Sequence, residues 1–265
     1  MILMGLSILA TMIVIMVSAW IYQRAAGNGG WTDVFWTFGT GFTCGVAALV
    51  PLQGQGNVGW RQGLVTALVV LWSLRLGSYI ARRVGRGPED VRYAIIRETW
   101  GPGFQKKMFG LLIVQAPVTA LLGLAILFAA HQPDAQFRGT DGLGIAILAI
   151  AVLGEALADR QMKAFKADPS TQGHVCDRGL WAWSRHPNYF FEVLVWLAYP
   201  VIGFDPAHLA SLLALVAPLL MFAVIRFGSG IPPLEQAMLK SKGDAYRRYQ
   251  ERVSALLPWP PRPTA

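Results

Sequence analysis

Seven long apolar stretches, each about the length of a helix that crosses a bilayer, dominate this sequence. Apolar residues make up 54% of its 265 residues and charged residues only 14%, whereas soluble domains carry roughly 25% charged residues. That composition excludes a disordered chain, a disulfide scaffold and an ordinary cytosolic enzyme. We therefore predict an all-α integral membrane protein that forms one domain over residues 1–265. Its seven transmembrane helices are expected at residues 2–22, 34–52, 63–82, 108–130, 142–165, 188–204 and 207–227.

Basic residues are distributed very unevenly between the loops that join these predicted helices. Arg61 and Arg138 lie in the second and fourth loops, and Arg75 lies inside the third helix. The remaining 20 of the 23 basic residues lie in or beside the first, third and fifth loops and the C-terminal tail. Because cytoplasmic loops carry the excess of Lys and Arg, the N-terminus is expected outside and the C-terminus in the cytoplasm. The expected cytoplasmic segments include residues 83–107, residues 166–186 and an amphipathic helix at residues 234–252.

Four charged residues follow one face of the fifth predicted helix towards its cytoplasmic end. Glu155, Asp159 and Lys163 are spaced i, i+4, i+8, and Lys166 follows on nearly the same face. Acidic side chains at this depth are costly, so each is a candidate functional residue. The carboxylates suit amide or ribose hydroxyl groups, and the lysines suit phosphates. The alternative is a set of i,i+4 ion pairs at a helix end, each worth about 0.2–0.5 kcal/mol.

The third predicted helix carries a second polar face. Arg75, Tyr79 and Arg82 are spaced i, i+4, i+7, and Arg75 lies roughly in the middle of the membrane. An arginine at that depth must face the protein interior or a wet cavity. Tyr79 is either a proton donor between two arginines or an ordinary packing tyrosine, and the spacing leaves both interpretations open.

The segment 178–192, R-G-L-W-A-W-S-R-H-P-N-Y-F-F-E, is the densest group of polar and aromatic residues in the chain. Pro187 suits the first turn of the sixth helix, which would put Asn188, Glu192 and Trp196 on one face. The unpaired N–H groups at such a helix start attract anions. The polar residues expected at this membrane mouth are Arg185, His186, Asn188, Tyr189 and Glu192.

Two other patterns predict no site. Gly54, Gly56 and Gly59 spell the G-x-G-x-x-G dinucleotide fingerprint, but that motif needs a strand–turn–helix context, and here it joins two membrane helices. No metal site is expected, because the two cysteines and four histidines show neither C-x-x-C nor H-x-x-x-H spacing. These residues are Cys44, Cys176, His131, His174, His186 and His208.

The motif R-H-P-N-Y-F-F-E at residues 185–192 resembles the C-terminal signature of the steroid 5α-reductase superfamily, in particular its bacterial branch. R-L-G-S-Y-I-A-R-R at 75–83 and E-D-V-R-Y at 89–93 extend the resemblance over most of the chain. The resemblance implies seven helices and NADPH held between them from the cytoplasmic side, chiefly by residues from about 142 to 265. It also implies reduction of a carbon–carbon double bond conjugated to a ketone.

The resemblance assigns roles to individual positions. Tyr79 matches a tyrosine that hydrogen-bonds the substrate carbonyl, and the steroid enzymes pair it with a glutamate for which only Gln53 and Gln55 are available here. Two family residues beyond the seventh helix are also missing, with Gly230 and Leu234 in their approximate positions. The expected catalytic group is Tyr79, Arg75, Gln53 and Glu192. The expected cofactor contacts are Glu155, Asp159, Lys163, Lys166, Arg185, His186, Asn188, Tyr189 and Arg226.

Three functions are compatible with these observations. The first is an NADPH-dependent reductase that acts as a monomer on an apolar steroid or enone lipid entering from the bilayer. In that enzyme, hydride reaches the β-carbon while Tyr79 stabilises the carbonyl oxygen. The second is an isoprenylcysteine-type methyltransferase using S-adenosylmethionine, which shares R-H-P-x-Y but gives no reason for the charged face of the fifth helix. The third is a non-enzymatic lipid carrier, although the internal repeats and broken helices of transporters are not evident. None of the three involves nucleic acid.

Overall fold

The computed structural model describes residues 1–52 and 57–263, and within these ranges it is all-helical, as the sequence predicts. Three turns of 3₁₀ helix lie in the connections between the longer helices, and a fourth precedes α8. The α-helices are α1 (Ile2–Ala26), α2 (Trp31–Leu49), α3 (Trp60–Arg86), α4 (Val91–Trp100), α5 (Phe104–Ala130), α6 (Gly139–Ala167), α7 (Pro187–Gly203), α8 (Val216–Phe227), α9 (Ile231–Lys242) and α10 (Asp244–Arg252).

Within the described ranges, five helical stretches are long and apolar enough to cross a membrane. They are Ile2–Ala26, Trp60–Arg86, Val91–Ala130, Gly139–Ala167 and Leu209–Lys242. The chain is therefore an integral, multi-pass membrane protein. The predicted second and sixth spans fall on α2 and α7, which have 19 and 17 residues and are not among these five. Seven spans and the orientation of the termini stay predictions.

The first helix shows how these apolar helices pack. Met4, Ile8, Met12 and Met16 follow each other at i+4 spacing, and all four are buried against α2 and α5. Ile2 on the opposite side is 83% exposed. A helix that is apolar all round is expected where one side meets protein and the other meets lipid. The four buried residues therefore show which side of α1 faces the rest of the protein. The hydrophobic pattern of the sequence does not show this, because both sides of the helix are apolar.

Close helix contacts depend on two glycines. A Cβ on Gly77 would lie 2.7 Å from the ring of Phe38, and one on Gly144 would lie 2.8 Å from the carbonyl oxygen of Ala198. These glycines let α3 approach α2 and let α6 approach α7. Each glycine therefore allows close packing within its own helix pair, α2–α3 or α6–α7.

An ion pair at the starts of α3 and α6 fixes their relative direction. Arg61, which is buried, donates from Nη2 to Asp141 Oδ2 at 2.8 Å and from Nε to Asp141 Oδ1 at 3.0 Å. Arg61 and Asp141 lie in the first turn of their helices, and Arg75 contacts Glu155 further along both, so α3 and α6 run in the same direction. Polar residues further along α3 therefore face residues further along α6.

The predicted single amphipathic helix at 234–252 is wrong. Gly243 has φ of +53° and divides this stretch into α9 and α10. Glycine adopts that left-handed conformation at little cost, and it commonly ends helices for that reason. The break lets α10 turn back so that Tyr246 and Tyr249 are buried.

Candidate functional site

A buried charge cluster joins α3 to α6. Arg75 Nη1 lies 2.8 Å from Glu155 Oε2, and Arg75 Nη2 donates to Asp159 Oδ2 at 2.6 Å. Glu155 and Asp159 are one turn apart on α6, so one guanidinium reaches both carboxylates. The spacing of charges along the fifth predicted helix indicated ion pairs only within that helix, and this pairing between helices was not predicted. Opposite charges at matching depth in two spans are the signal that could have indicated it.

The contact between Arg75 and Glu155 is a tight ion pair, with 2.8 Å between Nη1 and Oε2. Both atoms are buried, so water screens their attraction less than it would at an exposed surface. Arg75 is thereby fixed between Glu155 and Asp159, at the wall of the space between α3 and α6.

Glu192 on α7 is held by two tryptophans. Trp72 Nε1 on α3 donates to Glu192 Oε2 at 2.9 Å, and Trp196 Nε1 donates to Oε1 at 2.9 Å. The two indole rings meet edge to face with centroids 5.3 Å apart. The second hydrogen bond agrees with the predicted shared face of Glu192 and Trp196. Both carboxylate oxygens of Glu192 are thereby fixed in one orientation.

Tyr79 lies in a cavity between α3 and α6 with a volume of about 350 Å³. The guanidinium carbons of Arg75 and Arg83 lie 5.7 and 5.9 Å from the centre of its ring, within the range of cation–π contacts. The sequence pointed to Arg82 as the second neighbouring arginine, whereas the structure places Arg83 over the ring and Arg82 in the cavity wall. The lining residues are Arg75, Ser78, Tyr79, Arg82, Ala156, Asp159, Arg160 and Lys163.

Asn188 lies in the first turn of α7, as Pro187 predicted. It is half-buried, and its amide has no hydrogen-bond partner within the described part of the chain. Asn188 precedes Glu192 by one helical turn, or about 6 Å. Trp72 contacts Glu192, and Trp181, just before α7, donates to Ala158 O on α6, so the start of α7 packs beside α3 and α6.

Arg185 and His186 contact the C-terminal helices. Arg185 Nε donates to Glu235 Oε1 at 2.6 Å, and His186 Nε2 lies 3.2 Å from the same oxygen. Burial lowers the pKa of His186 despite this neighbouring carboxylate, which favours a neutral ring donating from Nε2. The ring of Tyr189 stacks on His186 with centroids 5.7 Å apart. These contacts tie the start of α7 to α9 and leave His186 Nδ1 buried without a partner.

Three of the basic residues that were predicted to contact the cofactor lie in different surroundings. Lys163 and Lys166 are both exposed near the end of α6, and of the two only Lys163 lines the α3–α6 cavity. Arg226 is half-buried near the end of α8, with its guanidinium 5.3 Å from the ring of Phe227. The structure thus brings Lys163 together with Arg75, Tyr79 and Asp159, and the other two stand apart from that group.

The E-D-V-R-Y motif forms a polar cluster that the sequence analysis did not assign. Arg92 Nη2 donates to Asp33 Oδ2 at 2.6 Å, and Tyr93 donates to Asp33 Oδ1 at 2.7 Å. Arg83 Nη2 donates to Asp90 Oδ2 at 2.7 Å. Burial favours a higher pKa for Asp90, but the Arg92 and Arg83 guanidinium groups outweigh it and hold that pKa well below its usual range. Asp90 therefore holds Arg83 beside Tyr79.

Comparison with known proteins shows which family this chain belongs to. A family described as "Protein of unknown function (DUF1295)" matches residues 19–253. The chain belongs to the DUF1295 family. That family is part of the steroid 5α-reductase-like superfamily, as the resemblance of the motifs implies. The chain is also 25% identical to "Uncharacterized protein C594.04c" of Schizosaccharomyces pombe over 268 residues, covering 88% of this chain and 76% of that protein. No solved structure matches the chain.

Three predictions about this DUF1295 protein concern residues away from the cluster. Gln53 and Gln55, with Gly54 and Gly56, lie outside the described residues, whereas Gly59 directly precedes α3. Among the described residues, no group of three His, Cys, Asp or Glu side chains is arranged to hold a metal. Cys44 and Cys176 are both buried and form no disulfide.

Proposed function

We propose that this DUF1295 protein is a membrane-embedded, NADPH-dependent reductase of enone double bonds in a steroid or another apolar lipid. The observation that carries the proposal is the position of Tyr79 in the α3–α6 cavity, beside Asp159 and between two guanidinium groups. Membership of the steroid 5α-reductase-like superfamily supports the reaction class. At about 350 Å³ the cavity lies at the lower end of the volumes of ligand pockets.

The side chains around the cavity fit a dinucleotide phosphate. The amide of Asn188, which has no hydrogen-bond partner among the described residues, suits a carboxamide or hydroxyl group. Lys163 at the cavity wall and Lys166 beyond it suit phosphate oxygens. When bound, NADPH would supply the hydride that the protein itself lacks.

The chain's own residues would then position and polarise the substrate. Tyr79 donates a hydrogen bond to the carbonyl oxygen, where negative charge develops as the double bond is reduced. Asp159, held by Arg75, and Arg83, held by Asp90, keep the phenol in place. Leu74 on α3 and Leu153 on α6 are 56% and 70% exposed, so apolar surface borders the cavity helices where a lipid substrate would arrive.

The test is turnover by the purified protein in detergent or nanodiscs. NADPH absorbance should fall when a 3-oxo-Δ4-steroid or a simpler enone lipid is added, and the product should carry two additional hydrogen atoms. Consumption of S-adenosylmethionine with methylation of a prenylated cysteine, in the absence of any enone reduction, would overturn the proposal.

Replacing Asn188 with alanine is expected to abolish measurable NADPH binding, because the amide at the first turn of α7 is lost. Because Asn188 is half-buried and has no hydrogen-bond partner among the described residues, little change in folding is expected. Binding can be measured by NADPH fluorescence in detergent. Gln172→Ala removes an exposed amide from the loop after α6 and should bind like the wild type. Wild-type affinity in Asn188→Ala would exclude Asn188 from the cofactor site.

Neutralising both lysines in Lys163→Gln/Lys166→Gln is expected to weaken NADPH binding roughly tenfold at low salt, about the loss of one charge-assisted hydrogen bond. The dependence of affinity on salt should also decrease, because fewer charges face the phosphates. Lys240→Gln/Lys242→Gln on α9 removes the same net charge and serves as the control. If both double variants show the wild-type salt dependence, Lys163 and Lys166 do not contact phosphate.

A further inference from the structure

The C-terminal segment folds back onto the loop that precedes α7. Arg185 N donates to Ser254 O at 2.9 Å, and Trp259 N donates to Trp183 O at 2.9 Å. Ser184 Oγ adds a hydrogen bond of 2.8 Å to Leu256 O. These contacts hold residues 253–262 in a defined position beside the first turn of α7.

This arrangement encloses a second cavity of about 380 Å³, which is separate from the α3–α6 cavity. Its polar wall includes Arg185, Arg252, Arg262 and Glu251. The charge of Arg185 is compensated by Glu235 at 2.6 Å, whereas no carboxylate pairs with Arg252 or Arg262 within the described residues. The cavity therefore combines two uncompensated cations with one acid.

The hydrogen bonding of Arg252 indicates the type of ligand more specifically than the charge of the cavity does. Its Nε is buried without a hydrogen-bond partner, although guanidinium N–H groups are strong donors. A buried donor left unsatisfied is costly, so the atom is expected to have an acceptor in the working protein. The position beside Arg262 favours an acceptor with several oxygens and a negative charge, and a phosphate has both.

The other wall of this cavity is apolar and exposed. Trp259 is 71% exposed and Leu257 is 61% exposed, and both line the cavity. Trp183, whose backbone carbonyl accepts the hydrogen bond from the backbone N–H of Trp259, is 48% exposed. Tryptophans concentrate at membrane–water interfaces, where one side of the ring meets lipid and the N–H meets water. The cavity lies at the start of α7, so these rings are placed for that interface.

We propose that this C-terminal cavity binds the phosphate of an anionic phospholipid headgroup in the leaflet that borders the start of α7. Arg252 and Arg262 bind the phosphate oxygens, and Trp183, Leu257 and Trp259 pack against the glycerol and upper acyl region. The bound lipid satisfies Arg252 Nε and anchors the C-terminal segment to the membrane. This proposal is independent of the reductase activity.

The experiment measures lipid binding to the full-length protein. Protein in zwitterionic nanodiscs is titrated with phosphatidylglycerol at about physiological ionic strength, and bound lipid is counted by native mass spectrometry. Each basic residue near an anionic surface contributes about a fivefold change in affinity, so Arg252→Gln/Arg262→Gln should bind phosphatidylglycerol roughly 30-fold more weakly. Arg247→Gln/Arg248→Gln removes the same charge from exposed positions on α10 and is the matched control.

Three outcomes separate the possibilities. The proposal is supported if phosphatidylglycerol binding falls in Arg252→Gln/Arg262→Gln and is retained in the control, while inorganic phosphate does not compete. Equal losses in the two double variants would overturn it, because they would indicate general surface attraction. Competition by inorganic phosphate at equal concentration would also overturn it in favour of a free-anion site. Thermal unfolding of the same Arg252→Gln/Arg262→Gln protein, followed by tryptophan fluorescence, shows whether it is folded.

Discussion

Replacing Arg75 with methionine is expected to destabilise the protein by about 3–5 kcal/mol, the usual cost of removing one partner from a buried ion pair. Glu155 and Asp159 would remain buried beside each other without the guanidinium that now lies 2.8 and 2.6 Å from them. This loss of stability arises from the two uncompensated carboxylates. The apolar part of the arginine side chain contributes little to the loss, because methionine largely replaces it. Thermal unfolding in detergent, followed by tryptophan fluorescence, measures the change.

A rescue variant distinguishes this electrostatic cause from a packing defect. Arg75→Met combined with Glu155→Gln and Asp159→Asn has no buried charge left in the cluster, and it should recover most of the lost stability. Arg82→Met removes another arginine that lines the same cavity but makes no ion pair with any described residue, and it should unfold like the wild type. The interpretation fails if Arg75→Met is as stable as Arg82→Met, or if the triple variant is less stable than the single one.

The residue types in the cluster were predictable, and their pairing was not. An intramembrane charge is functional or paired, which identifies Arg75, Glu155 and Asp159 from sequence. Pairing depends on the register between α3 and α6, which is fixed by the Arg61–Asp141 pair and by helix packing. Periodicity within one helix carries no information about that register. For this reason the sequence suggested pairs along α6, while the structure has pairs between helices.

In the C-terminal third, too, only part of the local structure could be predicted from the sequence. Pro187 correctly predicted the start of α7, because proline fits the first helical turn. The stretch 234–252 has the amphipathic pattern of a helix throughout, so the pattern did not predict that the helix breaks at Gly243. Glu235 illustrates the further difficulty, since its role depends on contacts with Arg185 and His186, about 50 residues away in sequence. Only the folded chain brings such groups together.

Replacing Tyr79 with phenylalanine is expected to reduce kcat by about 10²–10³, the usual effect of losing one hydrogen bond to a developing oxyanion. The ring would stay between Arg75 and Arg83, so packing in the cavity should be preserved. NADPH affinity should barely change, because the proposed cofactor contacts lie on α6 and α7. Single-turnover oxidation of bound NADPH by a 3-oxo-Δ4-steroid measures the chemical step, and fluorescence titration measures cofactor binding in the same preparation.

The matched control for that prediction is Tyr22→Phe, which removes a phenol from α1, where the ring packs against Trp31 and Phe35 outside the cavity. It should turn over at the wild-type rate. If Tyr79→Phe also reduces the enone within about twofold of wild type, the phenol makes no hydrogen bond in the transition state, since even a weak one would cost more. Tyr79 would then be a packing residue. The donor to the carbonyl would have to be another polar group facing the cavity, and Arg75, which lines the cavity beside Tyr79, would be the first to test.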